Sequence, residues 1–425
     1  MNKKDQDCIV LINNVYSYRN RGDSAIAEVM AQCIRSIRPD AKIYLLSQFW
    51  KENTPYYKAL GLYSRPPLWD IPMDNNKVRR LFRAIYLWLK AFWGLFAGYR
   101  KSTDETTPVL YRKARMIIDA GGGSLFSSNR YLFYLGLCQH LFNLWIGKLI
   151  NKPVLLAPQS IGPLTKSIDL QAVSKVLKKL DVVMVREPIS GKIMEQENVP
   201  CELVPDVAFI GSFRTGPSER VQPFLQTIDV SALNIGVTVL DWRWAEKKVG
   251  QDPNRLDQYI QKIETILFRL HKEQGAHIFI FPHADVSFGN SDLAISEKLQ
   301  RRLKTKQAKV HLVNPNLSAS DLCHTYRAMK VFLGSRMHSC ILAMLEGTPC
   351  ISLAYQHKTL GTFEWLGLKE YAFNAYQFEP EQVFARIEKI LHQYEKTKHQ
   401  FDKATTWAQQ EAKTNFNHYI RPFLK

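Results

Sequence analysis

Arg336 and His338 stand two positions apart in the segment Gly334-Ser335-Arg336-Met337-His338-Ser339. A short apolar run, 331–333, precedes them and a helix-like stretch, 340–345, comes after. A guanidinium fork suits a planar carboxylate or phosphate. An imidazole exchanges protons near neutral pH, and the free N–H groups of a helix start attract negative charge. Together these groups fit a small anion that must also trade protons. Gly347-Thr348-Pro349 and a second apolar run, 350–354, complete a strand–turn–helix–turn–strand pattern, the βαβ unit of an open parallel sheet.

Open parallel sheets bind ligands just beyond the carboxyl ends of their strands. Other polar residues recur at that position. Gly22 and Asp23 lie in Asn20-Arg21-Gly22-Asp23-Ser24-Ala25-Ile26, after the first strand. Asp23 or Ser24 would also serve as a helix cap there. Gly122 and Gly123 belong to a glycine run after a strand ending at Asp119. The run has neither the Walker lysine nor the full dinucleotide fingerprint, so no standard nucleotide loop is read here. Gln159 and Ser160, Arg186, Asp206, His283, and His357 with Lys358 each come after a further apolar run. All would line one rim. No cluster has metal-ligand spacing, so no obligatory metal or cofactor is expected.

The elements that must position these residues alternate along the chain. Strands are predicted at 8–12, 42–47, 116–119, 153–157, 182–186 and 201–204, with helices at 24–37, 130–150 and 170–180. A stretch bearing Gly, Pro and Ser comes next, at 211–223. The alternation then resumes with strands near 234–239, 277–281, 310–313, 331–333 and 350–354 and helices at 256–274, 292–303 and 320–328. The reading is α/β: two Rossmann-like domains facing a cleft, in a glycosyltransferase-B-like architecture. The domains are placed at 1–212 and 231–385, with a linker at 213–230 and helices at 386–425. A chain of 425 residues that is 46% hydrophobic suffices for two such cores. Seven scattered cysteines without a CxxC pair, and a polar start, read as a cytoplasmic protein.

The net charge is +18, and residues 77–115 hold ten Lys or Arg against two acids. Within them, 77–101 breaks the alternation. It reads as a helix with a wide apolar circumference and a narrow stripe of Arg79, Arg80, Arg83 and Lys90. That pattern suits a helix lying in a membrane interface over 79–100, at the inner face of the cytoplasmic membrane. Arg83 and Lys90 make it a poor spanning segment. No nucleic-acid-binding module accompanies the charge.

In order along the chain, NRGDSAI (20–26), DAGGGSLF (119–126), PQSIGP (158–163), VREPIS (185–190), VPDVA (204–208), GSRMHS (334–339) and AYQHK (354–358) resemble the polysaccharide pyruvyl transferase family, of the bacterial exopolysaccharide or colanic acid type. The resemblance implies transfer of the pyruvyl group of phosphoenolpyruvate to a sugar, forming a ketal and releasing phosphate. The acceptor is then a polymer or a lipid-linked repeat unit. The family's catalytic Arg-x-His falls on Arg336 and His338, and a further donor-binding arginine falls on Arg186. Ser339, His357, Lys358 and His283 are expected to contact donor. Gly22, Asp23, Gly122, Gly123, Gln159, Ser160 and Asp206 are expected to line the cleft or meet acceptor, with 1–212 as the acceptor side and 231–385 as the donor side. A nucleotide-sugar-dependent glycosyltransferase is the alternative. It rests on Glu346, two turns beyond Arg336, where many glycosyltransferase-B enzymes hold ribose.

Overall fold

Uninterrupted aliphatic runs build the strands, and most of their residues are buried on both faces, as parallel sheets require. A computed structural model of the protein describes residues 8–71, 77–96, 105–127, 135–211, 217–242, 253–286 and 290–425. The chain divides into two compact units. The first comprises Met1–Tyr18, Ile26–Val207 and Glu411–Lys425, and the second Arg19–Ala25 and Ala208–Gln410.

The first unit holds a parallel sheet. Its strands are β1 (Ile9–Asn13), β2 (Lys42–Leu46), β3 (Tyr63–Arg65), β4 (Met116–Asp119), β5 (Gly122–Leu125), β6 (Val154–Ile161), β7 (Val182–Val185) and β8 (Glu202–Leu203). They run in the order β3-β2-β1-β4-β6-β7-β8, with β5 on β6. The strand order reverses between β1 and β4, so their carboxyl ends mark this unit's topological switch point.

The second unit repeats the scheme. Its strands are β9 (Asn234–Thr238), β10 (His277–Ile280), the short pair β11 (Asp285–Val286) and β12 (Asn290–Ser291), β13 (Val310–Leu312), β14 (Val331–Gly334), β15 (Cys350–Ala354) and β16 (Ala372–Asn374). The main sheet is ordered β13-β10-β9-β14-β15-β16 and is parallel throughout. Here the switch point lies between β9 and β14. Gly236 of β9 is in register with Phe332 of β14, and a Cβ at 236 would run into that ring.

Three features differ from the sequence expectation. The segment Arg19–Ala25 belongs to the second unit, not to the first. Its backbone is tied there by an antiparallel bridge from Asn20 to Ala284 and by Arg21 N–H donating to the His283 carbonyl at 3.2 Å. The first unit ends at Val207 rather than at 212, and of the expected linker 213–230, residues 213–216 lie outside the described residues. Gln222–Gln226 within it is helical. The closing helix Tyr394–Leu424 is continuous, and its last residues belong to the first unit. Ala408, Ala412, Phe416 and Ile420 form a buried stripe at four-residue spacing along it. The expected helix 130–150 is described from Leu135 to Leu149, and 130–134 lie outside the described residues.

Candidate active site

Every residue of β14 is buried, and the strand delivers the chain to a turn at the switch point of the second unit. The turn is held from below. Ser335 N–H donates to the Thr238 hydroxyl at 3.0 Å, and the Ser335 hydroxyl meets that of Tyr259 at 2.5 Å. Arg336 takes extended backbone angles and opens the helix Met337–Leu345. That helix start receives no side-chain cap; within its first turn the Ser339 N–H bonds back to the Arg336 carbonyl at 3.0 Å.

The Arg336 side chain is buried and engaged. Its Nε and Nη2 donate to the two Asp292 oxygens at 3.1 and 2.6 Å, and Nη2 also donates to Asn290 Oδ1 at 2.7 Å. Asp292 is itself held by the Ala284 N–H at 3.0 Å. Burial works against the Arg336 charge. Asp292 and Tyr355 outweigh it and hold the guanidinium above its ordinary range. Asp23 adds to the same field from the Arg19–Ala25 segment.

His338 is half-buried and stacked tightly on that segment. A Cβ on Gly22 would overlap the His338 ring, so glycine is required for this approach. Arg21 anchors the segment, its guanidinium donating to the carbonyls of Leu317 and Pro315. His283 is fully buried close by. Burial, then the charges of Arg336, His338 and Arg21, push its pKa well below the ordinary range. The imidazole is therefore neutral, and neither ring nitrogen has a hydrogen-bond partner among the described residues.

The structure thus brings together Arg336, His338, His283, Gly22 and Asp23 in one unit, and β10, β14 and the N-terminal segment all contribute. Ser339 is internal: its hydroxyl donates to the Arg336 carbonyl at 2.7 Å and pairs with Thr238 at 2.9 Å, fully buried. These bonds fasten the turn. His357 and Lys358 are half-buried and open the helix His357–Trp365 beyond β15.

The remaining expected site residues lie in the first unit and mostly bond to one another. Arg186 stands just after β7, and its Nε donates to Ser160 Oγ at 2.7 Å and its Nη1 to Asp206 at 2.5 Å. Gln159 Nε2 donates to Ser124 Oγ at 2.7 Å. Gln159, Ser160, Arg186 and Asp206 are each at most 2% exposed, and Arg186, Ser160 and Asp206 join in one side-chain network. Buried polar groups must find such partners or forfeit their hydration. Arg186 Nη2 has no hydrogen-bond partner among the described residues. Gly122 is buried and adopts φ of +92°, while Gly123 is exposed. Asp119 closes the turn, its carboxylate accepting from Gly121 N–H at 3.0 Å and from Asn14.

Asn290, Asp292 and Arg21 were not foreseen as site residues. Asp292 reads in sequence as a helix start, and it does stand at the N-cap of the helix Leu293–Thr305, but its carboxylate turns to Arg336. Glu346, on which the nucleotide-sugar alternative rested, is bound by Arg327 at 2.5 Å at the end of its helix.

The family model for polysaccharide pyruvyl transferase matches residues 20–357. The chain is 23% identical over 400 residues to the amylovoran biosynthesis protein AmsJ of Erwinia amylovora, covering 91% of this chain and 92% of that one. Among solved structures it is similar to the UDP-GlcNAc 2-epimerase of Neisseria meningitidis, with a TM-score of 0.62 at 10% identity over 97% of this chain and 99% of that one. It is also similar to sucrose-phosphate synthase of Thermosynechococcus elongatus, with a TM-score of 0.59 at 12% identity over 98% of each chain. At these identities the solved structures speak for a glycosyltransferase-B-like fold alone.

Proposed function

The chain belongs to the polysaccharide pyruvyl transferase family, and from that premise we propose that it moves the pyruvyl group of phosphoenolpyruvate onto a saccharide of an exopolysaccharide or its lipid-linked repeat unit. The methylene carbon of the donor gains a proton, which leaves an oxocarbenium-like carbon. One sugar hydroxyl attacks it, phosphate departs, and a second hydroxyl closes a ketal. Of the two hydroxyl protons released overall, one balances the new methyl group and the other leaves with phosphate.

The observation that carries this reading is the half-buried His338, seated on Gly22 beside Arg336 at an uncapped helix start. Arg336 supplies positive charge at a fixed point, its orientation set by Asp292 and Asn290. Because Asp292 already binds one edge of the fork, first-turn N–H groups share the work of holding a dianionic donor. His338 is the group that exchanges the proton, as general acid or base. His283, buried and neutral, adds no repulsion to Arg336 and offers a nitrogen for hydrogen bonding. His357 and Lys358 open the next helix and supply further donors. Arg186 is committed to Ser160 and Asp206, so we give it a supporting role in place of the expected donor contact.

The test incubates purified protein with phosphoenolpyruvate and the host's own saccharide fraction, following phosphate release and analysing the saccharide by mass spectrometry. Acceptor-dependent phosphate and a pyruvate ketal are expected. Consumption of a nucleotide sugar with phosphoenolpyruvate untouched would overturn the donor assignment.

A further inference from the structure

The helix Lys77–Phe96 has two apolar faces, and only one is packed. Ala84, Ala91 and Leu95 are buried in the core of the first unit, with Leu87, Trp88 and Phe92 partly buried against it. On the helical wheel these six cluster on one side. The adjoining side carries Val78, Phe82, Ile85, Tyr86, Leu89 and Trp93, every one of them exposed, and Leu81 is exposed at the edge of the packed face. Phe82 is 68% and Trp93 73% exposed. Arg79, Arg83 and Lys90, also exposed, fall between the two faces as a basic strip along one flank. Trp88 further lines an apolar groove of about 320 Å³ with Trp69, Phe142 and Trp145.

Six large exposed apolar side chains on one helix face, with Leu81 at its edge, form a patch of the kind that marks an interaction site. We propose that this face lies in the headgroup boundary of a bilayer rich in anionic lipid, with the helix parallel to the surface. Apolar side chains would enter the acyl region, and Arg79, Arg83 and Lys90 would meet lipid phosphates. Among the described residues no helix is long and apolar enough to cross a membrane, so the contact is peripheral. Charge selects this occupant over a second copy of the chain. A two-fold pairing of the face would bring like basic strips together, on a protein already carrying +18. An anionic bilayer complements both the apolar stripe and its flank.

This inference goes beyond the reaction proposed above, and its experiment needs neither donor nor acceptor, so either can fail alone. The full chain is floated with vesicles of phosphatidylcholine, with or without phosphatidylglycerol, at low and high salt. Binding to the phosphatidylglycerol vesicles at low salt, weakened by salt, is expected. The triple variant Arg79→Gln, Arg83→Gln, Lys90→Gln should bind roughly a hundredfold more weakly, at about fivefold for each basic residue. The variant Phe82→Ser, Leu89→Ser, Trp93→Ser should lose binding while keeping the parent's melting temperature. A parent that fails to float at low salt overturns the inference. So does a serine variant that floats like the parent, or one that instead dissolves a dimer seen by sedimentation.

Discussion

Two arginines occupy equivalent places in the two units, and their surroundings make different things of them. Arg186 comes after β7 and Arg336 after β14, each at the end of a buried parallel strand and just before a helix. Each is buried and paired with an aspartate, Asp206 or Asp292. The neighbouring residues on the C-terminal side separate them. After Arg186 comes Glu187-Pro188. The Glu187 carboxylate caps its helix by accepting from Ser190 N–H at 3.0 Å, and proline occupies the first turn. That helix start is closed by the protein's own anion. After Arg336 comes Met337-His338, and no side chain caps the helix. Under the proposed function that start receives the donor's negative charge, with an imidazole beside it. On the proposed reading, one strand–turn–helix device serves as a structural pillar in one unit and as a reactive corner in the other.

Removing the pillar should have the largest effect. Arg186→Met leaves Asp206 buried at 2% exposure without its cation. Breaking one side of such a pair costs about 3–5 kcal/mol of stability. Urea unfolding should show that loss, while kcat per folded molecule stays near the parent's. A stable Arg186→Met variant with a collapsed kcat would erase the contrast and return Arg186 to the donor site.

The corner answers to the opposite readout. His338→Gln should retain the parent's unfolding midpoint and lose about a hundredfold in turnover, the usual contribution of a positioned acid–base group. If donor affinity falls while turnover of bound donor survives, His338 binds rather than transfers protons. Arg336→Lys should cost at least about tenfold in kcat/KM, roughly 1.4 kcal/mol, because lysine cannot span both Asp292 oxygens and a ligand.

How much of this was legible in the chain depends on the range of the contacts involved. The strands flanking Arg336 were readable because aliphatic runs 331–333 and 350–354 are local signals, and β14 and β15 form on them. The β10 and β9 strands were found on the same grounds. Partners were not legible. Nothing near Asp292 announces that its carboxylate faces an arginine 44 positions later. The NRGD segment reads as a loop after the first strand, yet its bridge to Ala284 gives it to the second unit. The helix Lys77–Phe96 shows a third limit. Periodicity revealed its basic stripe, but two apolar faces look alike in sequence until packing buries one.

Asp119 tests whether the network of the first unit is structural throughout. Burial pushes its carboxyl up to about 6, with Gly121 N–H and Asn14 pulling the other way. Between about pH 4 and 6 the native state then holds a proton that the unfolded chain has released. Its contribution must therefore rise as pH falls through 6, and be complete below the unfolded value. Against the permanently neutral Asp119→Asn, the parent should gain roughly 2 kcal/mol between pH 7.5 and 4.5. Paired urea melts at the two pH values measure this, and parallel pH dependence in parent and variant would mean that Asp119 is not shifted.

The smallest change sharpens the comparison most, because it touches neither arginine nor histidine. Gly22 has no side chain, and a Cβ there would meet the Nδ1, Cγ and Cβ atoms of His338. An overlap reaching as far as the His338 Cβ cannot be relieved by rotating the ring tip, so the side chain or its backbone must move. The segment itself has little freedom to yield, since Arg21 is fastened to the Leu317 and Pro315 carbonyls and Asn20 to Ala284. His338 is half-buried and has solvent on one side, so it is the partner that shifts. Gly22→Ala should then act as a displaced His338. Turnover should fall about tenfold, roughly 1.4 kcal/mol, with donor affinity and melting temperature nearly unchanged. Combined with His338→Gln, the alanine should add little, because both changes act through the same imidazole. Full additivity of the two losses would mean that Gly22 serves the site by contacting a substrate itself, and the N-terminal segment would then be part of the binding surface rather than the bed on which His338 rests.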